Sequence, residues 1–181
     1  MDGEGEWKVR THGASKRRTW RRLHVAVNKA TQQILLACLT THEFKDCEIL
    51  EELMAPIDHR RIEQVTGDGA YDAKNCYEWG KRRGIKVVFP PKKGSRIKNH
   101  GNLGFDPLQR DQHIRKIRKH GKTGWKVQEN YHRRSIAKTA IHRTKRCFGG
   151  GLRSRLFENQ AVEVAININL LNRWKIPTTC S

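Results

Sequence analysis

Alternating and continuous apolar positions mark the first strands of the chain. Leu23, Val25 and Val27 alternate with small or polar residues, which is the period of a half-buried strand. The continuous apolar run 34–40 is typical of a strand buried on both faces. The connecting residues 28–33 suit a hairpin or bulged turn, so the pattern predicts two paired strands here.

Helical and strand patterns alternate through the middle of the chain. In chain order they predict a helix over 46–57, a strand over 62–66, a helix over 72–84 and a strand over 85–89. Asp46 and Asp72 are expected to cap the two helices, and Gly84 is expected to end the second. Strands followed by alternating helices and strands predict an α/β fold, with helices flanking a mixed sheet.

The second half of the chain is more basic. Residues 92–110 show no period and predict a basic loop insertion, which precedes a basic helix over 111–120 that ends at Gly121. The segment 154–174 fits both a strand alternation and a helical period. Its length and the possible capping residue Ser154 favour a helix.

Length and charge narrow the range of partners. The 181 residues suit a single domain over 1–181, and Lys and Arg exceed Asp and Glu to give a formal charge of +19. Such an excess is typical of proteins that bind nucleic acid. A basic ribosomal or structural protein remains an alternative on composition.

Cysteine and hydropathy patterns indicate a compartment. The five cysteines have no zinc-like spacing, which favours reduced thiols in a cytoplasmic compartment; they are Cys38, Cys47, Cys76, Cys147 and Cys180. No apolar run approaches the roughly 20 residues that a membrane span needs, so no membrane association is expected. The acidic start MDGEGEW does not resemble a signal peptide.

A row of polar residues follows the helical pattern over 130–150. On a helix, four side chains fall within about a 60° arc beside an apolar stripe; they are Tyr131, Arg134, Lys138 and Lys145. The glycines 149–151 supply an end to this helix. The row is either a solvated basic face or a functional surface.

An acidic turn follows the strand predicted over 62–66. Asp68 lies between Gly67 and Gly69 at the carboxyl end of that strand, where α/β sheets present ligands. The exposed carboxylate would suit a metal site, or Asp68 is a turn residue. Asp72 follows as the expected helix cap.

Two motif blocks carry a family resemblance. The residues Tyr131, Arg134 and Lys145 resemble the signature helix of DDE transposases of the insertion-sequence IS4/IS5 type. That signature reads Tyr-x-x-Arg, three residues, a Glu, six residues and a Lys. The block Asp68-x-x-Tyr71-Asp72 resembles the block that contains their second catalytic acid. The segments GEGEWKVRTHGASKRRTWRRLHVAVN and FENQAVEVAININLLNRW also resemble the IS5 type.

The resemblance implies an RNase H-like core that cuts and joins DNA at inverted-repeat ends. Three carboxylates hold two Mg²⁺ ions in that mechanism. Asp68 matches the second acid and metal ligand, whereas Lys138 stands at the position of the third acid. The first acid belongs to a strand ahead of the segment that begins at Gly3, so we expect a first strand truncated at the amino terminus and impaired catalysis.

The resemblance also leads to expectations for Lys138, for the residues that contact DNA and for the partners of the protein. Lys138 is expected to pair with Asp68, and a non-enzymatic remnant that interferes with intact transposase is the alternative function. Seven residues are expected to contact DNA: Tyr131, Arg134, Lys145, Arg115, Lys119, Lys92 and Lys93. Trp125 either stacks on a base or packs in the core. The protein is also expected to associate with itself or with intact transposase. It is expected to lie near the bacterial nucleoid.

Overall fold

The computed structural model describes residues 21–98, 107–131 and 135–174. In chain order the elements are β1 (Arg21–Val27), β2 (Ile34–Thr41), α1 (Asp46–Met54), a 3-10 turn (His59–Arg61), β3 (Gln64–Thr66), a 3-10 turn (Gly69–Tyr71), α2 (Lys74–Arg83), β4 (Lys86–Val88), α3 (Gln109–Gln128), α4 (Ser135–Phe148) and α5 (Phe157–Arg173). The predicted α/β class is confirmed. Over the described ranges the strands form two separate two-stranded sheets, β1 with β2 and β3 with β4.

The described chain divides into two compact units. Unit 1 contains residues 21–44 and 136–174, and unit 2 is the continuous segment Lys45–Ser135. Each unit has its own buried apolar cluster.

The predicted hairpin of unit 1 is confirmed. β1 pairs antiparallel with β2, with an irregularity between Ala26 and Val27. In the turn, the Asn28 side chain accepts hydrogen bonds from the backbone N–H groups of Ala30 and Thr31 at 2.8 and 3.0 Å. Such a side-chain-to-backbone turn is the reason that Asn is favoured where two strands connect.

The core of unit 1 lies on one side of this hairpin. Buried residues from β2, α4 and α5 form it: Ile34, Leu39, Ala140, Val164, Ile168 and Leu171. The Asn172 side chain of α5 exchanges two hydrogen bonds with the Ile34 backbone, at 2.8 and 3.0 Å. The predicted burial of β2 on both faces is wrong at its start, because Leu35 points away from this core and is 49% exposed.

In unit 2, β3 and β4 pair in parallel and α2 connects them. The predicted apolar stripe of α1 is confirmed, since Ile49, Leu50, Leu53 and Met54 are buried. α2 packs closely on β4, because a Cβ on Gly80 would lie 2.6 Å from Val87 Cγ1. As predicted, α2 is followed by Gly84 in the left-handed region, with φ +66°.

The helix starts differ from the predictions. Lys45, rather than Asp46, is the N-cap of α1, and its N–H is bound by the Glu48 side chain at 2.9 Å. Ala73, rather than Asp72, is the N-cap of α2. A polar residue near a helix start is a cap only if the backbone places it at that one position.

The basic helix and the ambiguous segment are both helical. α3 extends from 109 to 128, but Gly121 interrupts it with φ 70° and ψ 171°, so the predicted end at Gly121 is confirmed as a break. The ambiguous segment forms α5, as favoured, although its N-cap is Leu156. The backbone N–H of Ser154 instead donates to Glu163 Oε2 at 2.9 Å.

Candidate functional site

Asp68 lies where the sequence predicted, directly beyond the carboxyl end of β3. It is exposed, and it is the N-cap of the short 3-10 turn Gly69–Tyr71. Its Oδ1 accepts the backbone N–H of Ala70 at 2.9 Å, which fixes the carboxylate at the strand end. The turn interpretation and the exposed carboxylate are therefore compatible in one geometry.

Gly67 is a glycine because aromatic rings crowd the strand end. A Cβ there would lie 2.6 Å from Tyr71 Cδ2 and 2.9 Å from Phe89 Cε1. The two rings are stacked with centroids 5.5 Å apart. The Gly67 backbone thus approaches protein side chains, whereas a Cβ on Gly69 would meet nothing closer than 3.7 Å.

Asp72 has a tertiary role instead of the expected capping role. Its side chain is fully buried, and Arg110 Nε donates to Oδ1 at 2.8 Å. Oδ2 accepts the backbone N–H of Lys92 at 2.8 Å. The cap prediction is wrong because this carboxylate faces the two ends of the basic loop, 20 and 38 residues away in sequence.

The predicted DNA-contacting lysines of the loop lie beside this buried carboxylate. Lys92 and Lys93 are exposed, and they belong to a turn in which Ser95 N–H donates to Lys92 O at 3.1 Å. Gly94 holds the turn with φ +80°. Arg115 and Lys119 are exposed on α3 before its break.

Trp125 is a core residue rather than a base-stacking platform. It is fully buried, and its Nε1–H donates to His113 Nδ1 at 3.1 Å. The other ring nitrogen of His113 therefore carries the proton and donates to Val87 O at 2.8 Å. Burial lowers the pKa of His113, so both hydrogen bonds belong to the neutral ring.

A buried carboxylate, Glu129, follows α3. Burial by itself would raise the pKa of Glu129, but hydrogen bonds from Lys116 and Lys86 hold it below its usual value. Lys86 Nζ lies 2.8 Å from Oε2, and Lys116 contacts Oε1. Both amines thereby pair with a buried carboxylate, although their side chains stay 47% and 46% exposed.

Tyr131 is a buried residue ahead of α4. Asn130, the residue before it, has φ +51°, and α4 is described from Ser135 onward. The Tyr131 ring is buried, with its centroid 5.1 Å from that of Trp125. Residues 132–134, Arg134 among them, lie outside the described residues, so the helical face that Tyr131 would share with the later cations stays a prediction.

Lys138 and Lys145 lie two turns apart on α4. Helical periodicity places them on one side of that helix, as predicted. Lys138 is exposed and Lys145 is half-buried. Ala140 and Thr144 are the buried residues of α4, and Gly149 ends the helix with φ +84°.

The comparison with known families decides the identity. A family model described as the transposase DDE domain matches residues 1–173. The chain belongs to the DDE transposase family. Its members act in DNA transposition and recombination, and so bind DNA. No solved structure matches the chain.

Members of the DDE transposase family use divalent metal ions in general. Across 21–98, 107–131 and 135–174, no three His, Cys, Asp or Glu side chains group so as to hold a metal ion. Asp68 alone offers two oxygens, one of which already accepts a backbone N–H. A hard divalent cation takes six or more oxygen ligands, so the described donor set of this transposase does not fit a metal pair.

Asp68 belongs to unit 2 and Lys138 to unit 1. Their pairing, like the roles of the other site residues, stays a prediction. Four of the cysteines, Cys38, Cys47, Cys76 and Cys147, are free thiols. Among the described helices of this transposase, none has the length and hydropathy to cross a membrane.

Sequence reasoning missed the buried acids of unit 2. Asp72, Asp111 and Glu129 are 6%, 2% and 1% exposed and bind groups from distant parts of the chain. The available signal was compositional: Lys and Arg number 37 against 18 Asp and Glu, and Asp111 and Glu129 occur near basic residues. A buried carboxylate has to be paired, so acids beside cations are candidates for structural partners.

Proposed function

We propose that this chain is an IS5-type transposase that binds inverted-repeat DNA and is impaired in catalysis. The observation that carries the proposal is the exposed Lys138 on α4, at the position where the family resemblance places the third acid. The matching second acid, Asp68, is exposed at the end of β3. Active relatives are expected to use Mg²⁺, and Asp68 is the residue of this chain that would be its ligand.

The charge of Lys138 supports the impairment. An ammonium at the place of a carboxylate removes up to two oxygen ligands and adds a positive charge. Like charges a few ångströms apart repel by about 4 kcal/mol at an effective dielectric constant of 20. The resemblance implies that both effects weaken the binding of divalent ions, so phosphodiester cleavage is expected to be slow or absent.

Strand cleavage and joining on inverted-repeat DNA test this proposal. The resemblance places the first acid on a strand ahead of residue 3, so the assay uses protein that includes such a strand, with and without Lys138→Glu. We expect products in Mg²⁺ or Mn²⁺ only with Lys138→Glu, and their loss when Asp68→Asn is added. Equal turnover with Lys138 in place would contradict the proposed impairment.

DNA binding is proposed to rest on charge. The formal charge of +19 and the exposed cations Lys92, Lys93, Arg115 and Lys119 support phosphate contacts. Arg134 and Lys145 are proposed to contact phosphate near the scissile bond, as the resemblance implies. Tyr131 was expected in that group too, but its buried ring supports a core role instead.

A second candidate function is interference with intact transposase. Retained positive charge, with Lys138 at the position of the third acid, favours a protein that occupies transposon ends or forms mixed oligomers. Adding this chain to an active relative should then reduce that relative's cleavage in proportion to DNA occupancy. Unchanged cleavage at saturating amounts of this chain would exclude this function.

A further inference from the structure

Residues 92–98 are attached to the rest of unit 2 at several backbone positions. Asp72 accepts the Lys92 N–H at 2.8 Å, and Asp111 Oδ1 accepts the Lys98 N–H at 3.0 Å. Between these points, the Arg110 guanidinium donates to Ser95 Oγ at 3.0 Å and to Arg96 O at 3.3 Å. We call residues 92–98 the anchored segment.

The anchoring groups are buried, whereas the cations of the anchored segment are exposed. The side chain of Asp72 is 0% exposed and that of Arg110 is 16% exposed. Asp111 is 2% exposed. In contrast, Lys92, Lys93, Arg96 and Lys98 are all exposed. The ion pair of Asp72 and Arg110 therefore holds the backbone of the anchored segment on its interior side, while four positive side chains face solvent.

A fixed backbone reduces the entropy that a binding segment loses. A loop that is already ordered gives up less conformational freedom when its side chains engage a ligand, so the same contacts yield a tighter complex. Four cations within seven residues match a polyanion with regularly spaced charges, of which a nucleic-acid backbone is the example that this family binds.

We propose that the anchored segment is a pre-organised phosphodiester-binding site of unit 2, with Asp72 and Arg110 as its positioning residues. The inference rests on the proposed DNA binding and assigns it to a particular segment. Arg110 is the last residue of the predicted basic loop, but its guanidinium is occupied by Asp72, Ser95 and Arg96. It acts on the DNA through the anchored segment.

The direction in which Asp72→Asn changes the DNA affinity separates this proposal from a simple charge effect. Removing a carboxylate from a basic protein strengthens binding to DNA if only the net charge matters. Asp72→Asn removes that charge but also loosens the anchored segment. We therefore expect weaker binding, with the slope of log K against log salt smaller by about one or two counterions.

The experiment measures fluorescence anisotropy of a labelled duplex of arbitrary sequence over a series of salt concentrations. Wild type is compared with Asp72→Asn, with Arg110→Lys, which keeps the charge but lacks the fork, and with Glu52→Gln. Glu52 is exposed on α1, so its variant is a matched control for losing one acid. Arg110→Lys should bind more weakly than wild type, and Glu52→Gln equally or slightly more tightly.

Trypsin cleavage provides a readout that does not depend on DNA. The anchored segment contains four trypsin sites, and loosening it should speed cleavage there in Asp72→Asn and Arg110→Lys while circular dichroism stays that of wild type. Arg110→Lys keeps both charges of the Asp72–Arg110 ion pair. It therefore provides the test if Asp72→Asn does not fold. Duplex DNA should protect these sites in the wild type.

Two results would overturn the inference in distinguishable ways. If wild type binds DNA with a steep salt dependence while Asp72→Asn and Arg110→Lys match Glu52→Gln, the anchored segment is not the binding site and the proposed DNA binding stands. If wild type shows no salt-dependent binding at all, the proposed function itself fails.

Discussion

The backbone around Asp68 has no room for a side chain at Gly67. The nearest atoms to a Cβ there belong to the stacked rings of Tyr71 and Phe89. At Gly69, two residues later, a Cβ would make only an ordinary contact, 3.7 Å from Pro90 O. These neighbouring glycines therefore have different reasons to be glycine, which a sequence pattern does not distinguish.

We expect Gly67→Ala to destabilise the fold by about 1–3 kcal/mol, because the added methyl group overpacks the aromatic pair. Gly69→Ala should change the free energy of unfolding by no more than about 0.5 kcal/mol. Urea denaturation of the two variants measures the difference. Equal midpoints would show that the rings near Gly67 move aside without cost.

The pair His113 and Trp125 is the second residue-level feature with a measurable consequence. The neutral His113 ring accepts from Trp125 and donates to Val87, and its pKa is lowered chiefly by burial. Glu129 Oε1 lies 4.0 Å from His113 Nδ1, and the attraction of that carboxylate opposes the shift only in part.

This lowered pKa predicts a pH dependence of stability. The unfolded chain binds a proton on His113 near pH 6.5, but the folded chain does so only at lower pH. The contribution of His113 is therefore complete above pH 6.5 and is lost as the pH falls through the lowered folded value. Urea midpoints from pH 8 to 5 should decline, and His113→Gln should flatten that decline between about 6.5 and 5. An unchanged slope in the variant would contradict it.

Among the elements, α3 depends on its break at Gly121. Its φ of 70° and ψ of 171° belong to a region open almost only to glycine, and no atom lies within 4 Å of the place that a Cβ would take. The cost of a substitution there is therefore a backbone cost.

Gly121→Ala should cost about 1–3 kcal/mol in the free energy of unfolding. Gly150→Ala is the matched control, because its Cβ also meets open space and its φ is not positive. Thermal unfolding followed by circular dichroism compares them. A Gly121→Ala protein as stable as the control would show that α3 can continue straight through this position.

The sequence predicted the elements better than their ends. Apolar periodicity was sufficient to predict α1, α2 and α5, because a helix buries a stripe whose spacing is visible locally. The caps were wrong, since a capping role depends on a single backbone position. Motif spacing placed Tyr131 among residues that contact DNA, and it did not show that the ring is buried against Trp125.

For the molecule as a whole, charge dominates the expected interactions. With a formal charge of +19, DNA affinity should fall linearly on a plot of log K against log salt, whatever the duplex sequence. Anisotropy titrations between 50 and 300 mM salt would measure the slope, and about six released counterions correspond to roughly a thousandfold loss between 50 and 200 mM. An affinity that does not respond to salt would contradict phosphate contact as its source.

The candidate site was predictable only in part. The turn at Asp68 and the helix that carries Lys138 followed from local pattern and family resemblance. The anchoring role of Asp72 did not, because its partners lie 20 and 38 residues away in sequence. Long-range pairing of a buried acid is decided by tertiary packing, which leaves no period in the chain.

The division into units has a consequence for how the chain is made. Unit 2 is one uninterrupted segment, whereas unit 1 joins residues before 45 to residues after 135. A ribosome completes all of unit 2 before it has made the helices that the early hairpin packs against. The nascent protein should therefore fold from its middle outward. β1 and β2 should complete their packing only after α4 and α5 have emerged.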